Sequence, residues 1–173
     1  QKLTFEEIAT LFTKIEAQLN SRPLCPLSND PGETDYLSPE HFLVGRPLLA
    51  VPEPSLLDVK ENSLSRWQLI AKMSQQFWVR WRHEYLQTLQ KRPKWYKVAA
   101  NLEPGDLVLL KDGSLPLQWP LAKVLEVHTG DDGTVRVATV QTKKATYKRS
   151  ILNLVPLLPL QSNPYPNGDV EIC

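Results

Sequence analysis

Residues 121–142 read LAKVLEVHTGDDGTVRVATVQT, two runs rich in valine and threonine on either side of Gly130-Asp131-Asp132-Gly133. Apolar side chains recurring at every second position mark extended chain, because successive residues of a strand face opposite sides. The Gly/Asp cluster between them has the chemistry of a hairpin turn, where positive φ is tolerated. The stretch therefore predicts a strand over 121–128, a turn, and a strand over 134–142.

Working outward, Pro104-Gly105-Asp106 is a turn that precedes a strand over 107–111, and residues 145–149 make a fourth strand. Short strands with glycine-bearing turns suggest a small closed β-barrel of the SH3 type, since closure removes exposed edges. Trp119, just before Pro120, is expected to pack across the mouth of that barrel.

Upstream of Asn101 the period changes to that of a helix. Nothing breaks a helix between Ser63 and Gln90, and Trp67, Ile70, Phe77, Trp81, Tyr85 and Leu89 recur at spacings compatible with one face. That stripe reads as packing. Arg66, Lys72, Arg80 and Arg82 fall outside it, and Trp78 and Trp95, off or beyond it, are the better candidates for contact with a partner. At the start of the chain, Thr4 stands three residues before Glu7, the spacing of a capping box. Phe5, Ile8, Phe12, Ile15 and Leu19, with Leu11 beside them, then form the stripe of an amphipathic helix that ends before Pro23. Residues 23–37 read as a surface loop; Ser38, Pro39 and Gly45 start and close a short helix, and residues 46–60 form an extended strap. The organisation expected is α+β: helices and strap over 1–60, a basic connector helix over 61–97, the barrel over 98–160, and a disordered tail over 161–173.

Composition narrows the function. Two cysteines, Cys25 and Cys173, supply neither a disulfide framework nor zinc spacing, which favours a reducing, intracellular setting. No run approaches the roughly 20 apolar residues that span a bilayer, no signal-peptide layout is present, and Gln1 suggests a piece excised from a longer chain. The carboxylates Asp30, Glu33, Asp35, Asp131 and Asp132 sit in loop and turn sequence without histidine or cysteine ligands and read as solvated. His41, His83 and His128 are isolated from one another, Cys25 has no histidine motif, and Ser21 and Ser114 lack a nucleophile-elbow context. Catalysis by this chain alone is not expected.

Charge is the informative feature. Residues 1–59 hold 4 Lys/Arg against 9 Asp/Glu, whereas residues 60–97 hold 9 against 2, a local +7 within a chain of net +1. Pairing along one helix cannot neutralise so one-sided a set, and phosphate contact is the expected use. The candidates are Arg66, Lys72, Arg80, Arg82, Lys91, Arg92, Lys94 and Lys97 in the belt, with Lys123, Arg136, Lys143, Lys144, Lys148 and Arg149 in the barrel. Such contacts position DNA without reading its sequence.

Several blocks in one order resemble the region just downstream of the integrase catalytic core in Pao/BEL-type LTR retrotransposon polyproteins. They are Leu3-Thr4-Phe5-Glu6-Glu7, Leu19-Asn20-Ser21-Arg22-Pro23-Leu24, Ser38-Pro39-Glu40-His41-Phe42-Leu43 and Gly45-Arg46-Pro47-Leu48, followed by Ser65-Arg66-Trp67-Gln68 and Phe77-Trp78-Val79-Arg80-Trp81. Gly105-Asp106-Leu107-Val108-Leu109-Leu110-Lys111 and Trp119-Pro120-Leu121-Ala122-Lys123-Val124 complete the match, which runs over about residues 1–159. The resemblance implies an RNase H-like integrase whose three carboxylates bind two divalent ions, Mg or Mn, for DNA strand transfer. The last of those carboxylates would lie upstream of Thr4, so the resemblance implies a chain without catalytic residues and without a cofactor of its own. Residues 1–48 would be the final helices of the core, and 101–159 an SH3-like C-terminal domain.

The expected function is that of a non-catalytic part of an integrase, which binds element ends and target DNA, supports assembly with other integrase subunits, and has no membrane contact. It would act in the nucleus after a cytoplasmic particle stage and would not be secreted. The alternative is an SH3/Tudor-like module that binds a chromatin protein; convergence of Trp119, Tyr147 and Trp95 on one open pocket would favour it. A host gene derived from such an element is a third possibility. Residues 1–48 are not expected to fold stably by themselves, because the stripe from Phe5 to Leu19 would have nothing to bury against.

Overall fold

The computed structural model describes residues 2–27, 35–48, 53–90, 102–130 and 133–157. Lys91, Arg92, Lys94, Trp95, Lys97, Asp30, Glu33, Asp131, Asp132 and the tail from 161 lie outside the described residues.

Helix α1 (Phe5–Asn20) begins on the anticipated capping box: the Thr4 hydroxyl accepts from the Glu7 amide, and the Glu7 carboxylate accepts from the Thr4 amide at 2.8 Å. Two short strands, β1 (Cys25–Pro26) and β2 (Tyr36–Leu37), then pair antiparallel. They bring Tyr36 to Ser38, the N-cap of α2 (Pro39–Val44), which Gly45 closes in the left-handed region at φ 76°. Only glycine adopts that conformation without a Cβ penalty.

Helix α3 (Arg66–Leu89) is the longest element and starts on a second capping box, Ser65 with Gln68, which moves its start past the Ser63 expected from the sequence. A single 3-10 turn, Glu61–Ser63, precedes it. Its buried side runs through Ile70, Ala71, Ser74, Gln75, Trp78, Arg82 and Leu86. The expected stripe is therefore rotated. Trp67 is 58% exposed, while Trp78, offered from sequence as a partner contact, is 1% exposed and part of the core. The strap is tied to this helix: Gln75 accepts from the Leu56 amide and donates to the Pro54 carbonyl, each at 2.9 Å, and Leu56 is buried.

Strands β3 (Leu107–Leu110), β4 (Leu121–Thr129), β5 (Val135–Gln141), β6 (Thr146–Ser150) and β7 (Leu154–Pro156) form one antiparallel sheet in the order β6-β5-β4-β3-β7. The first four match the strands expected from the sequence to within about a residue at each end. Strand β7, reached through the one-turn 3-10 helix Ile151–Asn153, is new. The closed barrel is corrected to an open sheet, because β6 and β7 stand at opposite edges and do not pair.

Alternation gives this sheet two apolar faces. Val108, Leu110, Ala122, Val124, Ala138, Val140 and Leu154 form one cluster, which the sheet encloses by curling until the turn before β7 touches β5. Leu109, Leu121, Val155 and Leu157 point the other way and meet Trp78, Leu86 and Trp119 beneath α3. No helix among the described residues is long and apolar enough to cross a membrane.

Candidate nucleic-acid interface and adjoining pocket

An aromatic junction fixes where charged side chains can emerge. Trp119 stands edge-on to Trp78, Trp81 and Tyr85, with ring centroids 5.1, 5.7 and 5.5 Å away. Its indole N–H donates to Ser21 Oγ at 3.1 Å, and that of Trp78 donates to the Ser114 carbonyl at 3.0 Å. The Tyr85 hydroxyl donates to the Pro23 carbonyl at 2.6 Å, and burial pushes its pKa above the usual tyrosine range. Trp119 thus sits beneath the helix, in the core that joins α1, α3 and the sheet, and not over a barrel mouth.

The helix cations divide sharply. Lys72 and Arg82 face inward: Lys72 Nζ donates to the Val59 carbonyl, while Arg82 donates to the carbonyls of Leu110 at 2.7 Å and Lys111 at 3.3 Å. Arg82 also lies over the Trp119 ring, 5.9 Å from its centroid, and desolvation lowers its pKa. Both leave the candidate surface. Arg66 grips Glu7 and the Lys2 carbonyl, tying the two capping boxes together and holding the Glu7 carboxyl below its ordinary range. Arg80 is exposed and pairs with Glu84 one turn on at 3.0 Å. The helix ends where Gln90 reaches the carbonyls of Leu152 and Leu154, beside the turn that joins β6 to β7.

The sheet cations do not form one patch. Lys123 opposes Gln141, which opposes Thr146, and Lys148 opposes Thr139, so Lys123 and Lys148 share one face. Arg149 opposes Ala138 and Tyr147 opposes Val140, which places both on the other face. Arg136 is exposed near the start of β5. Lys143 and Lys144 form the hairpin tip, and Lys143 pairs with Asp35 at 2.8 Å.

A pocket of about 630 Å³ opens between β2, the loop after β3 and the β5–β6 hairpin. Trp119 and Tyr147 both line it, together with Asp35, Asp112, Lys143 and Arg149. Arg149 pairs with Asp112 at 3.2 Å and lies over the Tyr147 ring, yet its Nε–H is buried without an acceptor. Nothing in the sequence pointed to this pocket except the suggestion that Trp119 and Tyr147 converge. Among the described residues no group of three or more His, Cys, Asp or Glu side chains could hold a metal ion.

One buried acid lies apart from these features. Glu40 is 1% exposed, and neither carboxylate oxygen meets a hydrogen-bond donor in good geometry. Burial raises its pKa above that of an ordinary glutamate, and the Leu48 amide and Ser38 hydroxyl offset this only in part. A carboxyl that holds its proton more tightly when folded supports the fold at low pH, and that support is lost as pH rises through the folded pKa. Glu40→Gln should therefore stabilise the chain by about 1–2 kcal/mol near pH 8, and the gain should vanish near pH 4. Thermal melts of both proteins across that range check the prediction; a gain independent of pH would contradict it.

Compared with known families, residues 65–157 match the model of a family of unknown function, DUF5641. No curated protein and no solved structure matches the chain.

Proposed function

Since the chain belongs to the DUF5641 family, whose function is unknown, we propose that it is the DNA-binding, non-catalytic C-terminal part of a Pao/BEL-type retrotransposon integrase. The observation that carries this reading is where α3 ends. Gln90, docked on the turn between β6 and β7, is the point from which the basic stretch with Lys91, Arg92, Lys94 and Lys97 departs. The basic stretch thus follows in sequence directly on a residue anchored to the sheet through β7 and the turn before it.

An SH3-like reading of the sheet is supported by its strand order and by the 3-10 turn before the last strand. The reading as the end of an integrase core is supported by the apolar surface of the first two helices, where Phe5, Phe12, Phe42 and Leu43 are 63–82% exposed. A face of that kind fits contact with further protein, either the rest of the core or another integrase subunit. The catalytic carboxylates and their Mg or Mn ions would then lie elsewhere in the polyprotein, and the acting complex would be nuclear.

Binding of the whole chain to a labelled DNA duplex over a salt series tests the proposal. With about six phosphates neutralised, log affinity should fall against log salt with a slope of about −5, and changing Arg80, Lys91, Arg92, Lys94 and Lys97 to Ala should flatten it to about −1. Absent binding, or a slope unaltered in the variant, would refute this assignment.

A further inference from the structure

Among the described residues, strand β6 forms an edge of the sheet, and its Tyr147 and Arg149 line the pocket. The Thr142 amide donates to the Ala145 carbonyl at 2.9 Å, which makes these two a hydrogen-bonded pair at the hairpin end. Alternation in an antiparallel ladder then makes Val140–Tyr147 and Ala138–Arg149 hydrogen-bonded pairs, and Gln141–Thr146 and Thr139–Lys148 non-bonded ones. The N–H and C=O groups of Thr146 and Lys148 therefore turn away from β5, toward an edge that no strand of the sheet covers. Both residues are exposed.

We propose that this edge binds an extended acidic peptide, which adds to the sheet as a sixth strand beside β6 and lays side chains into the adjoining pocket. Three features select that partner. An unpaired edge supplies main-chain donors and acceptors for an extended chain and for no other backbone conformation. The pocket beside it is walled by the Tyr147 ring and the rim of Trp119, which accept an apolar side chain. Charge sets the sign: Asp35 and Asp112 pair with Lys143 and Arg149, which leaves Lys144 beside the pocket and Lys148 on the opposite face of the strand as surplus positive charge along the edge, and the buried Arg149 Nε–H lacks an acceptor. This site is independent of the DNA reading, which rests on the residues beyond α3.

A library of random decapeptides displayed on phage and selected on the whole chain provides the probe. Enriched sequences should carry Asp or Glu with β-branched or aromatic residues between them, and one such peptide, synthesised and labelled, is then titrated against variants. Lys148→Pro removes an outward N–H without breaking a bond to β5, and it should weaken binding about tenfold or more, whereas Lys148→Ala should cost only about two- to threefold. If Lys148→Pro disturbs the sheet, amide exchange on the unaltered protein decides: the peptide should protect Thr146 and Lys148 and leave Tyr147, already bonded to β5, unchanged. No enrichment over empty support, enrichment of basic or helical sequences, equal binding by Lys148→Pro and wild type, or displacement of the peptide by an equimolar DNA duplex would each overturn the proposal.

Discussion

Trp119→Ala is expected to cost about 3–5 kcal/mol, the range for removing a large aromatic side chain from a well-packed core. Trp119 is 6% exposed and touches three aromatic rings from α3, and its indole N–H reaches back to Ser21 at the end of α1. Truncation would leave a void bounded by Trp78, Trp81 and Tyr85 and would also remove the ring over which the Arg82 guanidinium lies. For a chain of this size each kcal/mol lowers the melting temperature by roughly 2–4 °C. A melt lower by about 6–20 °C, or loss of a cooperative transition, is the expected outcome. Trp119→Phe, which keeps one aromatic ring but loses the second ring of the indole together with the bond to Ser21, should recover only part of the loss. An alanine variant that melts within about 2 °C of wild type would show that the junction is not a core.

Arg82→Ala should destabilise the fold by about 3 kcal/mol, because two charge-assisted bonds to the Leu110 and Lys111 carbonyls vanish together. Arg82→Lys should recover only part of that, since an ammonium is a point donor and cannot present the planar fork of a guanidinium. The contrast with a phosphate-binding role is sharp. Loss of a surface cation leaves stability nearly unchanged and flattens the salt dependence of DNA binding, whereas Arg82→Ala should do the reverse when measured on the folded fraction. Urea unfolding and the DNA titration together separate the two. A variant as stable as wild type with a flatter slope would return Arg82 to the DNA surface.

Those two residues mark the boundary of what could be read without coordinates. The start of α1 was legible because a capping box is a local device, completed within four residues. Strands β3 to β6 were legible because a period of two is local as well. Strand β7 was not: it has three residues, one of them Pro156, and its pairing with β3 joins positions far apart in sequence. The buried side of α3 was misplaced because large aromatic residues stand on more than one flank of that helix: at about 100° per residue Trp78 falls about 20° from Trp67, whereas Phe77 lies about 80° to the other side of Trp67. The wheel gives angles but not the position of the neighbour. Lys72 and Arg82 read as surface cations because composition assigns charge to solvent. Each has a stem long enough to run along the core and a head that finds a carbonyl, and only tertiary structure supplies the carbonyl. The candidate DNA site was correspondingly half legible: its charge stands in the sequence and alternation alone sets Lys148 and Arg149 on opposite faces, but only the register with β5 shows that Arg149 shares its face with Ala138 and Val140.

Helix α3 is fastened at both ends, by Arg66 to Glu7 of α1 and by Gln90 to the carbonyls before and within β7. Twenty-four residues of helix span about 36 Å, and no proline interrupts them. The helix therefore behaves as a strut: a torque applied at the first two helices is delivered to the sheet without a hinge to absorb it. Whatever grips the N-terminal face sets the bearing of the sheet edge to within the stiffness of one helix, so two distant surfaces of this chain are aimed together.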